Sequence, residues 1–113
     1  MPPAVCRWYF YAQNQKAELI KEVNVLGMHY KIEEVECVSK DCLEKGEIRF
    51  LENRILIDKT MPEELKEQTL MHEIIHAICA GLGLEALNQD EQTVQSLATA
   101  LHCLFKSQVI FSS

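Results

Sequence analysis

The sequence predicts an α+β fold, with a small antiparallel sheet of three to four strands packed on a long central helix and on a second helix antiparallel to it. Three observations carry that expectation. Apolar and polar residues alternate over residues 23–32 and again over residues 48–57, the period of a half-buried strand. Over residues 65–82 the apolar residues recur at helical spacing, in a stripe broad enough for two neighbours. A third apolar series, Val94, Leu97, Ala98, Leu101, Leu104 and Phe105, has the same helical period. A chain of 113 residues holds one domain with one core and is too short for two ordinary domains.

Pro2 and Pro3 oppose a starting helix, so residues 1–20 read as a poorly defined N-terminal extension, and residues 21–113 as a single domain. Within the extension Trp8, Tyr9, Phe10 and Tyr11 form an aromatic patch suited to packing on the domain or on a neighbouring chain. Val23 and Val25, then Met28, Tyr30 and Ile32, alternate with polar residues about Gly27, which predicts a hairpin or a bent strand. Residues 35–45 are polar and irregular, a loop. A second hairpin follows, with Ile48 and Phe50 on one arm, Glu52, Asn53 and Arg54 at the turn, and Ile55, Leu56 and Ile57 on the other.

The long helix has its own start and stop signals. Thr60 and Glu63 have capping-box spacing, Pro62 suits a first turn, and Gly81 and Gly83 suit the end. Asn88 or Asp90 then caps the second helix.

Inside the long helix lies His72-Glu73-Ile74-Ile75-His76, an HExxH pattern. Residues four apart sit one turn above each other on one helical face, so both imidazoles can reach one cation. In a zinc peptidase His72 and His76 would hold Zn²⁺, and Glu73 would be the general base for a zinc-activated water. Two histidines do not complete a catalytic zinc site. Glu91 is the candidate third ligand: a short connection makes the two helices antiparallel, His76 lies about 9 Å before the end of the first and Glu91 about 5 Å into the second. Asp90 is the alternative ligand, and Asn88 with Glu91 also has capping-box spacing, so Glu91 as a helix cap stays open. His102 falls about 16 Å beyond Glu91 along the helix and cannot share its ion. His29 and Tyr30 are either donors to a developing oxyanion or an ordinary surface histidine and core tyrosine.

A net charge of −6 and a pI near 5.2, with Lys and Arg scattered singly, argue against a nucleic-acid partner. The five cysteines form no CxxC pair and are an odd number, which fits free thiols in a reducing cytosol. No segment reads as a signal peptide or a membrane span. The expectation is a cytoplasmic protein with no membrane partner.

The stretches TLMHEIIHAI at residues 69–78 and NQDEQTVQSLA at residues 88–98 resemble the ImmA/IrrE-like metallopeptidases, especially small phage and prophage members. The resemblance implies a minimal zincin-like domain, a small sheet over the active-site helix and a third ligand from the following helix. It implies His72, His76 and Glu91 as zinc ligands, Glu73 as base, and a protein or peptide substrate. In zincins an edge strand beside that helix can hold an extended substrate, here residues 54–58. The function expected is zinc-dependent hydrolysis of a peptide bond; the alternative is a non-catalytic, zinc-stabilised binding or regulatory protein of phage or prophage origin.

Overall fold

The structure, a computed structural model, describes residues 19–36 and 45–107. The aromatic patch, nearly all of the N-terminal extension, and Cys6, Cys37 and Cys42 lie outside the described residues.

Strand β1 (Glu22–Val25) turns back into β2 (Met28–Val35) as an antiparallel hairpin with Val25 opposite Met28. Its two central turn residues, Leu26 and Gly27, have φ of 53° and 89°, the signature of a primed turn that matches strand twist. The Asn24 side-chain oxygen accepts from the Gly27 amide at 2.8 Å and closes the turn. Leu26 is a costly residue at positive φ, but its side chain lies over Gly81, where a methyl group would come within 2.8 Å of it. The alternation places Val25, Tyr30 and Ile32 in the core, whereas Met28, expected on the same face, is exposed at the turn.

Strand β3 (Gly46–Arg49) and β4 (Arg54–Asp58) form the second hairpin, joined by a 3₁₀ turn (Phe50–Glu52) and by Asn53 at φ 53°. The strand order is β1-β2-β4-β3, and β2 runs parallel to β4. The sheet is therefore mixed, where a wholly antiparallel one was expected. Each hairpin presents its second strand to the other, and two second strands run in the same direction. The reason lies in Ile55, Leu56 and Ile57, exposed by 0%, 3% and 0%. Three consecutive buried side chains point to both faces of the sheet, which a central strand can cover and an edge strand cannot.

Helix α1 (Glu63–Leu82) lies between the sheet and the rest of the helices. Its start differs from the capping box expected. Pro62 precedes the first turn without a side-chain cap, and Thr60 bonds instead to Asp58, through both its amide and its hydroxyl. Gly83, at φ 71°, ends the helix as expected, its amide bonding to the Ala80 and Cys79 carbonyls. A five-residue helix, α2 (Glu85–Gln89), occupies what the sequence suggested was a plain loop, and α3 (Glu91–Ser107) follows. Contacts of Glu67 with His102, His72 with Gln95 and His76 with Asn88 run in opposite senses along the chain, so α1 and α3 are antiparallel.

The central position of α1 follows from three faces. Leu70 and Ala77, with Ile74 and Ile78, pack on Tyr30, Ile32, Ile55 and Ile57 of the sheet. Ile75 and Cys79, with Met71, pack on Val94 and Ala98 of α3. The remaining face carries Thr69, His72, Glu73 and His76. Lys66, 7% exposed, ties the first turns of α1 to β2 through Glu34 at 2.6 Å and to its own helix through Glu63 at 3.2 Å. The Glu34 carboxylate, then Glu63, hold its ammonium above the usual lysine range. Among the described residues no helix is long and apolar enough to cross a membrane.

Candidate metal centre

The third face of α1 opens on a cleft of about 630 Å³, lined by His72, Glu73, His76, Thr69, Asn88, Glu91 and Gln95 on the helical side. Lys45, Gly46, Glu47, Ile48 and Phe50 form the opposite wall. The wall is β3, the edge of the sheet, held against α1 by a missing side chain. A Cβ on Gly46 would sit 2.6 Å from Thr69 Cγ2 and 3.3 Å from the Leu56 carbonyl oxygen. Only a glycine permits that approach, which sets the width of the cleft one helical turn before His72.

The helical spacing works as expected. The His72 and His76 rings lie with centroids 4.9 Å apart and turn their Nε2 atoms toward each other, 3.2 Å apart. Glu91, in the first turn of α3, closes the group: its Oε2 lies 3.0 Å from His72 Nε2 and its Oε1 lies 3.0 Å from His76 Nε2. Asp90 is not a member. Its carboxylate caps α3, accepting from the Thr93 amide at 3.1 Å and the Thr93 hydroxyl at 2.7 Å. Those bonds, the hydroxyl foremost, hold its carboxyl below the usual aspartate range. With Asp90 as cap, Glu91 points into the cleft.

The far side of each imidazole is also occupied. His72 Nδ1 lies 2.8 Å from Gln95 Oε1, and His76 Nδ1 lies 2.5 Å from Asn88 Oδ1. Amide oxygens only accept, so with these oxygens facing the rings each neutral imidazole is favoured with its proton on Nδ1 and a lone pair at Nε2. In that tautomer the two Nε2 lone pairs, 3.2 Å apart, and the Glu91 carboxylate, 3.0 Å from each ring through a different oxygen, form a cluster that a cation would stabilise. The donor set of two imidazoles and one carboxylate suits zinc. Ligand atoms about 2.0–2.1 Å from a zinc ion at the tetrahedral angle are about 3.3 Å apart, close to the 3.2 Å between the two Nε2 atoms, and each Nε2 lies 3.0 Å from a different oxygen of Glu91. His72, His76 and Glu91 are also the one trio of acidic, histidine or cysteine side chains among the described residues with metal-ligand geometry.

No family model, curated protein or solved structure matches the chain. The centre is defined by its own geometry.

Other candidates fall away from it. His102 is buried and bonds to Glu67 at 3.1 Å on the far part of the helix pair. His29 is exposed on the first hairpin beside Asn24, and Tyr30 is in the core, so neither faces the cleft. Residues 54–58, expected as an edge strand beside the helix, are the interior strand β4; the edge at the cleft is β3. Of the two helix cysteines, both of which the apolar spacing of their helices places on core-facing stripes, Cys79 is buried and Cys103 is exposed.

Asn88 and Gln95 are the residues that sequence reasoning missed. Asn88 reads as a cap and Gln95 carries no assigned role, yet Gln95 lies four residues after Glu91 and therefore on the same face. That periodicity was the available signal.

Proposed function

We propose that the protein is a zinc-dependent peptidase, on the strength of one observation: His72, His76 and Glu91 converge in a cleft that also contains Glu73 and runs along an open strand edge. On this reading the chain is a small relative of the ImmA/IrrE-like metallopeptidases that its motif resembles. Zinc held by those three side chains would supply Lewis acidity toward the scissile carbonyl and the attacking water. Glu73, 7% exposed at the floor of the cleft, takes the proton of that water and delivers it to the leaving amine. No covalent intermediate with the protein is needed.

The edge strand gives the substrate its place. The Lys45 carbonyl accepts from the Asp58 amide at 2.9 Å, and Lys45 stands opposite Asp58 in the register. In an antiparallel ladder the hydrogen-bonding direction alternates, so Glu47 and Arg49 also turn their main-chain groups to β4. Gly46 and Ile48 turn theirs outward. An extended peptide adding to β3 would pair with those groups and lie across the cleft, its side chains against Ile48 and Phe50.

Glu73→Gln tests this reading. The variant should bind one zinc ion like the wild type and lose on the order of 10²–10⁴-fold in turnover of a cleavable peptide found by library screening. Retained turnover would overturn it. A wild type that holds zinc but cleaves nothing would instead favour a zinc-stabilised binding protein.

A further inference from the structure

We infer that Asn88 and Gln95 are positioning residues for the metal centre, fixing the tautomer and ring orientation of His76 and His72 through their amide oxygens; this rests on the zinc reading above.

Histidine can ligate through either ring nitrogen, and a free imidazole turns about its side-chain bonds and exchanges its proton between both. A centre that uses Nε2 from two rings needs the proton of each held at Nδ1. The structure supplies one acceptor per ring, from two different elements. Gln95 lies one turn after Glu91 on α3, so a single helix face carries both the carboxylate at His72 Nε2 and the oxygen at His72 Nδ1, at 3.0 and 2.8 Å. The His72 ring is gripped at both nitrogens by one helix. His76 lies one turn further along α1, beyond the start of α3, where no residue of that helix reaches its Nδ1. The acceptor there is Asn88, at 2.5 Å, and it comes from α2.

This assigns a purpose to α2. The five-residue helix has no fully buried residue and packs through Leu87 on the Ile75, Cys79, Val94 and Ala98 cluster, which anchors it while leaving Asn88 facing the histidines. Winding residues 85–89 over the end of α1 brings Asn88 to His76. Both acceptors are neutral, so they orient the rings without adding negative charge, and Glu91 remains the one anionic group in the trio.

Zinc affinity is the decisive quantity, measured by competition with a chromophoric chelator on the full chain. Gln95→Ala and Asn88→Ala should each weaken zinc binding about 10–100-fold, and Asn88→Asp and Gln95→Glu, which keep an acceptor oxygen, should restore it. Gln95 is exposed on α3, and alanine is the better helix former, so Gln95→Ala should leave apo-protein stability in urea unchanged or slightly raised while zinc binding falls. A merely structural glutamine would not separate the two readouts. If Asn88→Ala disturbs the fold, Gln95→Ala alone still decides. Wild-type affinity in Gln95→Ala would overturn the inference while leaving the centre intact; a wild type that binds no zinc would overturn the peptidase reading first.

Discussion

Among the described glycines the narrowest tolerance lies between Gly46 and Thr69. Any side chain at residue 46 meets Thr69 Cγ2 at 2.6 Å, so Gly46→Ala must push β3 from α1 or force Thr69 out of its rotamer. Overpacking of this kind costs about 1–3 kcal/mol, read as a lowered urea midpoint. Thr69→Ser removes Cγ2 and keeps the hydroxyl, so the double variant should regain much of the loss; a double variant no more stable than Gly46→Ala would show that the clash lies with the Leu56 carbonyl instead. The sequence made the three converging side chains legible, because HExxH spacing fixes two of them on one helix face and the short connection fixes the height of Glu91. It also offered Asp90 as a cap of the second helix, and the structure gives it that place: two bonds to Thr93 withdraw Asp90 from the site and leave Glu91 to it.

Among the elements, the two long helices formed where periodicity placed them, although Leu97, Leu104 and Phe105 of the second apolar series are exposed, and the strand pairing did not follow from alternation. Alternation tells which residues face the core and says nothing of which strand lies next to which. The run Ile55, Leu56, Ile57 was the clue that β4 is interior, and with β4 inside, β3 becomes the edge at the cleft. The turn from β4 into α1 was also set by a local competition. Asp58 accepts from the Thr60 hydroxyl at 2.7 Å and its amide at 2.9 Å, which removes Thr60 from capping. Those bonds, the hydroxyl first, hold the Asp58 carboxyl below the usual aspartate range. A depressed folded-state pKa contributes stability that is present above the unfolded value, about pH 4, and is lost as pH falls through the folded value. Asp58→Asn should therefore lower stability near neutrality and flatten its decline in acid, as read from urea midpoints between pH 2 and 6. An unchanged acid limb would mean that other carboxylates carry it.

At the scale of the whole molecule, the proposed centre joins elements that also meet through Val94, Ala98 and their neighbours and through the contacts of Glu67 with His102 and Lys106. An ion bound by α1 and α3 together stabilises the folded state by mass action, by about 2.7 kcal/mol at a hundredfold excess over its dissociation constant. For a chain of this size that is a rise in melting temperature of roughly 10 °C. Zinc should produce it, a chelator should reverse it, and Glu91→Ala should abolish it while leaving the apo melting temperature in place. A wild type indifferent to zinc would contradict the centre. The cleft's two walls come from separate stretches of chain, residues 69–95 on the helical side and residues 45–50 on the sheet side. Among the described residues His72 and His76 bond to each other, Gln95, Asn88 and Glu91, all on the helical side. Substitutions at Lys45, Glu47 or Ile48 can redraw what lies along the cleft and leave the cluster as it is. Lineages descended from such a chain are free to diverge along the sheet wall while inheriting the same cluster.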